Sequence, residues 1–151
     1  MDAVIDLGID FGTSTTFAAH SSAPGRTTAS IRLSHNAATM PSSVFVESPE
    51  RLDVGDVAID KSLANPTGFL SAPKRTIAHG SAHVNGYDIP ASVPVAAIFR
   101  SVIARAAREH DGNFPESLVI THPESWSDRE IKVLLDAAAA AGYEGSRVKA
   151  V

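Results

Sequence analysis

The feature that most constrains this chain is an apolar segment that runs directly into a turn of small polar residues near the start of the sequence. The apolar run Ala3–Ile5 leads into Gly8–Thr16, where an aspartate is soon followed by glycine, threonine and serine. Small residues leave space around the main chain, so backbone N–H groups and hydroxyls in such a turn can approach an anion closely. The stretch predicts a strand that ends in a phosphate-binding turn, with an ordinary Gly/Ser/Thr hairpin as the alternative.

The side chains of this turn suit a phosphate together with a hard cation. Gly12 has no Cβ that would hold a phosphoryl group away, and Thr13, Ser14 and Thr15 supply hydrogen-bond donors. Asp10 supplies a carboxylate at the strand end. Mg²⁺ usually keeps several waters and takes one or two carboxylates plus phosphate oxygens, which fits this arrangement. We therefore expect these residues to bind a phosphate and Mg²⁺.

Composition narrows the function classes. The 151 residues include 13 basic and 17 acidic side chains spread along the chain, so no basic stripe predicts nucleic-acid binding. The absence of cysteine excludes disulfides and thiolate chemistry and suits a reducing compartment. No apolar run approaches the ~20 residues of a membrane span, and the acidic start is unlike a secretory signal. We expect a cytoplasmic protein that binds neither nucleic acid nor membrane.

The periodicity of the apolar residues predicts a mixed α/β fold. Alternation predicts strands over Ala3–Ile9, Thr15–His20 and Thr27–Leu33, with a turn at residues 21–25, which suggests an antiparallel meander. After this come a predicted helix, strand, helix and strand: 94–110, Ser117–Ile120, Ser127–Ala141 and Arg147–Val151. The helix at Ser127 opens on a capping-box pattern.

Residues 40–93 differ from the rest of the chain. Prolines break this segment into short apolar pieces, with a strand-like piece at Ser43–Val46 and a helix-like piece at Asp60–Ala64. Its apolar side chains must be buried somewhere, so the segment is not a linker. We predict a core made of residues 1–39 and 94–151, with an inserted small α+β subdomain at 40–93.

Six segments spread along the chain match, in order, the motifs of one known family. They are Gly8–Thr15, Met40–Ser42, Gly55–Ala58 with Asn65–Thr67, Ala72–Ile77, Val119–Pro123, and Asp136–Ala137 with Ala141–Tyr143. Together they resemble the first lobe of the nucleotide-binding domain of the 70-kilodalton heat-shock (DnaK-like) chaperones, in the actin, hexokinase and chaperone ATPase superfamily. The resemblance implies a ribonuclease-H-like (actin-like ATPase) mixed sheet with flanking helices and an inserted subdomain.

The resemblance also implies ATP or ADP with Mg²⁺ as cofactors, and ATP hydrolysis in the complete protein. Asp10 matches the acid that holds the hydration shell of Mg²⁺, and Gly12–Thr15 match the loop around the β- and γ-phosphates. Lys74 matches the lysine that reaches the γ-phosphate and its attacking water, so the implied catalytic residues are Asp10, Thr13 and Lys74. Pro123 matches a proline that relays nucleotide state between domains. Taken alone, Lys74 is also compatible with a solvated surface lysine and Asp10 with a turn acid.

Some features depart from the family and keep other hypotheses open. Ile131 stands where the family has a relay arginine, and an apolar side chain supplies neither charge nor guanidinium hydrogen bonds. The family's second phosphate motif, adenosine pocket and peptide-binding domain are absent from the sequence, so we expect a truncated domain, inactive by itself. In the complete protein, client polypeptides and co-chaperones would be partners. The alternatives are a sugar or acetate kinase of the superfamily and a non-catalytic actin-like or pseudo-chaperone scaffold.

The histidines predict no metal centre or catalytic triad. His79 and His83 are four residues apart, but no third ligand lies near them in the sequence, so a zinc site is not expected. The other four histidines are scattered along the chain.

Overall fold

A computed structural model describes residues 5–22, 27–34 and 37–151. These residues form an α/β fold around a mixed sheet, as the sequence predicted. The strands are β1 (Ile5–Phe11), β2 (Thr15–Ser22), β3 (Thr27–Ser30), β4 (Thr39–Pro41), β5 (Val44–Ser48), β6 (Arg51–Val54), β7 (Phe69–Leu70), β8 (Ser81–Val84), β9 (Tyr87–Pro90), β10 (Ser117–Ile120) and β11 (Val148–Ala150). The α-helices are α1 (Gly55–Ala64), α2 (Ser92–Glu109) and α3 (Asp128–Ala140).

The main sheet has β1 at its centre. Its strand order is β11-β10-β1-β2-β3, and β4 also pairs with β2. The β1–β2 and β2–β3 pairs are antiparallel, whereas β10 is parallel to β1 and β11 is parallel to β10. Because β1 and β10 run in the same direction, their carboxyl ends meet at one edge of the sheet. This edge holds Asp10 and the residues that follow β10.

The alternation along β1 assigns its side chains to two faces. Ile5, Leu7, Ile9 and Phe11 are buried, whereas Asp6 and Asp10 are exposed. Phe11 packs edge-to-face on Phe99 of α2, with ring centroids 5.9 Å apart. The apolar face of the sheet is thus covered by α2.

The two longer helices also pack on each other. Helix α2 begins at Ser92, two residues before the predicted start, so Pro94 lies in its first turn, where proline is tolerated. Helix α3 begins as predicted with a capping box between Ser127 and Glu130. The hydrogen bonds from Ser127 lower the pKa of the Glu130 carboxyl, because they stabilise its charged form.

Other element boundaries differ modestly from the predictions. The third strand ends at Ser30, before the predicted Leu33, although Ile31 and Leu33 are both buried. Helix α1 starts at Gly55, five residues before the predicted Asp60. Residues 1–4 and 23–26, which contain the predicted start of the first strand and most of a predicted turn, lie outside the described residues.

Residues 40–93 form small sheets of their own. Strands β6, β5 and β7 make a three-stranded sheet, and β8 and β9 form a hairpin. A 3₁₀ helix at Pro73–His79 packs against α2 and α3, and it carries Lys74. Strand β4 crosses the predicted boundary between residues 39 and 40 and pairs with β2. The division into core and insert therefore stays a prediction. Within the described ranges, the helices are too short or too polar to cross a membrane.

Candidate functional site

The predicted phosphate-binding turn is the hairpin that connects β1 and β2. The Gly12 N–H donates to the Thr15 carbonyl oxygen (3.0 Å), with Thr13 and Ser14 at the tip. A Cβ on Gly12 would lie 2.4 Å from that carbonyl oxygen, so the hairpin itself requires glycine. Thr13 is half-buried, whereas Ser14 and Thr15 are exposed. The hairpin thus presents hydroxyl side chains to solvent at the end of β1.

Strand β4 and the residue after it support this turn from the side. The Ser42 N–H donates to the Ser14 carbonyl oxygen (2.8 Å). The hydroxyls of Thr16 and Ser42 are hydrogen-bonded to each other (2.8 Å), and both residues are fully buried. Buried hydroxyls need such a partner, because an unsatisfied polar group in the interior is costly. Met40–Ser42 therefore fixes the tip of the hairpin relative to the main sheet.

Asp10 is exposed at the end of β1 and is hydrogen-bonded across the sheet. The Thr121 hydroxyl donates to Asp10 Oδ1 (3.0 Å), and the Thr121 N–H donates to the Ile9 carbonyl oxygen (3.1 Å). A carboxylate has about four lone-pair sites, so Asp10 keeps acceptor capacity for a metal-bound water. The site thus fits a Mg²⁺ ion held through its hydration shell. The described residues contain no cluster of three or more side chains that would ligate a metal directly.

Lys74 contacts an aromatic ring in the connection between β10 and α3. Its Nζ lies 5.5 Å from the ring centroid of Trp126, within the range of a cation–π contact. The Trp126 ring is nearly parallel to that of His122, with an interplanar angle of 5° and centroids 6.3 Å apart. Asp10 and Lys74, far apart in the sequence, therefore contact Thr121 and Trp126 of the same loop.

We define this connection between β10 and α3, residues 121–126, as the β10–α3 loop. Pro123 is half-buried within it, and its carbonyl oxygen accepts a hydrogen bond from the Trp126 N–H (3.1 Å). Trp126 and Ile131 occupy the N′ and N4 positions of α3, where two apolar side chains often pack as a hydrophobic staple. Ile131, which is half-buried, therefore occupies a position that favours an apolar side chain, whereas the resemblance implies arginine there.

Sequence reasoning did not assign a role to Thr121 or a contact to Trp126. The signal for Thr121 was present, because it follows a strand predicted to be buried, and a buried parallel neighbour would place it beside Asp10. The Trp126–Lys74 contact had no local signal, since it depends on how the 3₁₀ helix packs against the start of α3.

One open groove of the described region lies away from this site. A groove of about 680 Å³ runs between β6, α1 and α2, with Val57, Val93 and Arg100 among its lining residues. It contains none of the predicted site residues.

Three of the described histidines have hydrogen-bond partners in other side chains: His83 pairs with an aspartate, and His20 pairs with His110. His83 Nδ1 lies 2.7 Å from Asp88 Oδ1 in the β8–β9 hairpin, where both side chains are exposed. His20 on β2 and His110 at the end of α2 share a hydrogen bond between Nδ1 and Nε2 (2.9 Å). Burial and the neighbouring His110 lower the pKa of His20, and Glu109 partly opposes this shift.

No protein-family model and no curated protein matches this chain.

Proposed function

We propose that this chain is the first lobe of a chaperone-type ATPase domain with a ribonuclease-H-like, actin-like fold. In this proposal the lobe binds Mg²⁺ with ATP or ADP at Asp10 and the hairpin Gly12–Thr15, close to Lys74. The complete protein, in which a second lobe would close over the nucleotide, would hydrolyse ATP to drive the binding or folding of client polypeptides.

The order of strands in the main sheet supports this proposal. An antiparallel meander, β1 to β3, is followed after the 40–93 segment by a helix and then by two strands parallel to β1. This is the arrangement that the resemblance to actin-like ATPases implies. Fold alone does not fix function, so the argument depends on the site.

The observation that carries the proposal is the convergence of Asp10 and Lys74 on the β10–α3 loop. A solvated surface lysine and an isolated turn acid would have no reason to contact residues of one loop. Asp10 contacts Thr121, and Lys74 contacts Trp126. An exposed acid beside a hairpin rich in donors, with a lysine on the adjoining loop, supplies the groups that a metal-bound polyphosphate needs.

The chemistry would be phosphoryl transfer to water, where positioning and charge stabilisation supply most of the catalysis. The hydroxyls of residues 13–15 and N–H groups at the tip of the hairpin would donate to phosphate oxygens, whereas the Gly12 N–H is already bonded to the Thr15 carbonyl oxygen. Asp10 would accept hydrogen bonds from metal-bound water and so orient the ion, and Mg²⁺ would supply neutralisation of the phosphate charge. The Lys74 ammonium would stabilise negative charge that develops on the transferred group.

The test is an NMR titration of this chain with Mg·ATP. We expect a dissociation constant of about 1 mM or weaker, because one lobe lacks the adenosine contacts of the other. Amide shifts should be largest in Gly12–Thr15. Asp10→Asn and Lys74→Ala should weaken binding, whereas Lys132→Ala should not, because Lys132 forms an exposed pair with Asp136 on α3. Shifts confined to the groove beside α2, or no shifts in Gly12–Thr15 at ~10 mM Mg·ATP, would overturn the proposal and favour a scaffold.

A further inference from the structure

We infer that the β10–α3 loop sets the relative position of Asp10 and Lys74, with Thr121 and Trp126 as the two positioning residues. This inference rests on the proposed function, because Thr121 and Trp126 would not touch the nucleotide themselves. They would act by positioning Asp10 and Lys74, the two side chains proposed to contact the nucleotide and its metal ion. Thr121 orients the acid, Trp126 holds the cation, and the loop joins them through four intervening residues, 122–125.

Thr121 limits the freedom of the Asp10 carboxylate. The two residues directly follow Ile9 and Ile120, the last pair in the register of β1 and β10. A hydroxyl that donates to Oδ1 restricts rotation of the carboxylate, which an exposed aspartate at a strand end would otherwise have. The carboxylate then presents its remaining lone pairs in one preferred direction, toward a hydrated cation.

Trp126 limits the freedom of Lys74 in the same way. A lysine side chain is long and flexible, and its ammonium is a compact point charge. Contact of Nζ with the face of the indole favours rotamers that keep the ammonium beside the loop. Trp126 itself packs partly against the hydrophobic core, so it is a firmer support than an exposed ring.

The loop is anchored at both ends. At its start, the His122 N–H donates to the Val151 carbonyl oxygen (2.9 Å), while Thr121 is bound to β1. At its end, Ser127 caps α3 directly after Trp126. Pro123 further restricts the backbone between these anchors because its φ is fixed. A displacement of this loop would therefore move the acid and the cation together.

The first test separates the hydroxyl of Thr121 from its shape. Thr121→Val removes the donor but keeps the branched side chain, and Thr121→Ser keeps the donor. Ser117→Ala is the matched control, because Ser117 donates to Asp6 (2.5 Å) on the same face at the other end of the same strands. The readout is the ratio of ATP dissociation constants with and without Mg²⁺, measured by NMR on this chain.

We expect Thr121→Val to reduce the Mg²⁺-dependent gain in ATP affinity by about threefold, the size of one lost hydrogen bond. Thr121→Ser and Ser117→Ala should leave it unchanged. If Thr121→Val has no effect while Asp10→Asn lowers this gain, the positioning role is refuted and the proposed function stands. If Asp10→Asn also has no effect, both are refuted.

The second test follows Lys74 directly. In the native chain the indole ring current should shift the Lys74 Hε resonances upfield, and Trp126→Leu should abolish this shift, whereas Trp126→Phe should keep part of it. Trp126→Leu should weaken Mg·ATP binding in the same direction as Lys74→Ala, with an unchanged melting temperature as evidence that α3 stays folded. A native upfield shift that persists in Trp126→Leu, or unaltered binding in that variant, would overturn the role of Trp126.

If Trp126→Leu unfolds the chain, the role of Trp126 is tested with Trp126→Phe instead. A phenyl ring has a weaker quadrupole than indole, so binding should be intermediate between the native chain and Lys74→Ala. Suppose that Trp126→Phe binds Mg·ATP with native affinity although its Lys74 Hε resonances show no upfield shift. This result would refute the positioning role of Trp126. Lys74→Ala with native affinity would instead refute the proposed function of Lys74 itself.

Discussion

Gly12 shows how a single residue in this protein can be required by the main chain before any ligand is considered. Alanine at this position would place its Cβ 2.4 Å from the Thr15 carbonyl oxygen, and a backbone oxygen in a hairpin has little room to move. We expect Gly12→Ala to lower the free energy of unfolding by about 2 kcal/mol, in the range typical of overpacked positions. Urea unfolding followed by circular dichroism measures it.

Gly8, which lies in β1 before the hairpin, provides the control for Gly12→Ala. A Cβ there would meet the Ala19 carbonyl oxygen at 3.6 Å, an ordinary van der Waals distance, and its φ is not in the left-handed region. Gly8→Ala should therefore leave stability unchanged or raise it slightly, because alanine loses less conformational freedom than glycine on folding. Equal destabilisation by both substitutions would contradict the steric explanation.

Lys74 carries the prediction about catalysis. If its ammonium stabilises charge that develops in the transition state, Lys74→Ala in the complete protein should lower turnover ~10²-fold or more. The affinity for ATP should fall much less than turnover, because the contact is weaker in the ground state than in the transition state. Lys74→Arg should not restore turnover, because a planar guanidinium cannot replace a point ammonium. Steady-state and single-turnover rates measure this, and unchanged turnover in Lys74→Ala would make the lysine a surface residue.

At the scale of elements, the contact between β2 and the end of α2 depends on two imidazoles. His20 and His110 share one hydrogen bond, which requires at least one of the rings to be neutral. Burial, and then the proximity of His110, lowers the pKa of His20 from its usual 6.5, with Glu109 opposing the shift. Around this pair, Glu109 also accepts the Arg32 N–H (3.0 Å) at the same end of the helix.

This pair predicts a loss of stability in mild acid. Below pH 6.5 the unfolded chain protonates His20 while the folded chain resists protonation, so the unfolded state binds more protons and stability falls with falling pH. Above this pH the effect is absent. Urea midpoints at pH 7.5 and 5.5 should differ less for His20→Gln than for the native chain.

The exposed His79, which lies at the end of the 3₁₀ helix Pro73–His79, provides the control. His79→Gln should keep the native difference between the two midpoints. Carboxylates also titrate in this pH range, and they do so in every variant. The informative quantity is therefore how much the change in urea midpoint between pH 7.5 and 5.5 differs from one variant to another. If His20→Gln shows the same difference between the two urea midpoints as the native chain, the His20–His110 pair is not the source of the acid sensitivity.

Local patterns predicted the long elements better than the short ones. The helical periodicity of α2 and the capping box of α3 placed both helices within two residues of their observed starts. The β8–β9 hairpin was not predicted, although Asn85 and Gly86 have the positive φ values (52° and 79°) of a tight hairpin turn. Asn-Gly between alternating residues is the sequence signal for such a turn.

For the whole molecule, the prediction concerns coupling between nucleotide and a downstream domain. Ile131 cannot supply a guanidinium, and coupling free energies in allosteric proteins are typically only ~1–3 kcal/mol. If the complete protein has a peptide-binding domain, peptide affinity should differ by less than about tenfold between ATP and ADP. Fluorescence of Trp126, close to Ile131, provides a local probe.

The informative variant is Ile131→Arg, measured for peptide affinity in both nucleotide states. An increase in switching would support a relay at this position. Strong switching in the native protein, unaltered by the substitution, would show that coupling runs elsewhere. The melting temperature must be compared in parallel, because Ile131 lies at the N4 position opposite Trp126 and arginine there removes an apolar partner.

The sequence by itself determined the mixed α/β fold and the positions of its principal elements, because hydrophobic periodicity, capping and turn residues act over a few neighbours. It also located Asp10 at the end of a strand and a hairpin rich in hydroxyls beside it. These features need no knowledge of distant parts of the chain.

Only the tertiary structure decided which distant residues meet. The pairing of β1 with β10 placed Thr121 on Asp10, and the packing of the 3₁₀ helix near α3 placed Lys74 on Trp126. Such contacts depend on strand order and on how elements cover the core, and the same local sequence is compatible with many such arrangements. The structure also showed a second reason for glycine at position 12, the close approach of the Thr15 carbonyl oxygen, where the sequence had indicated only room for a phosphate.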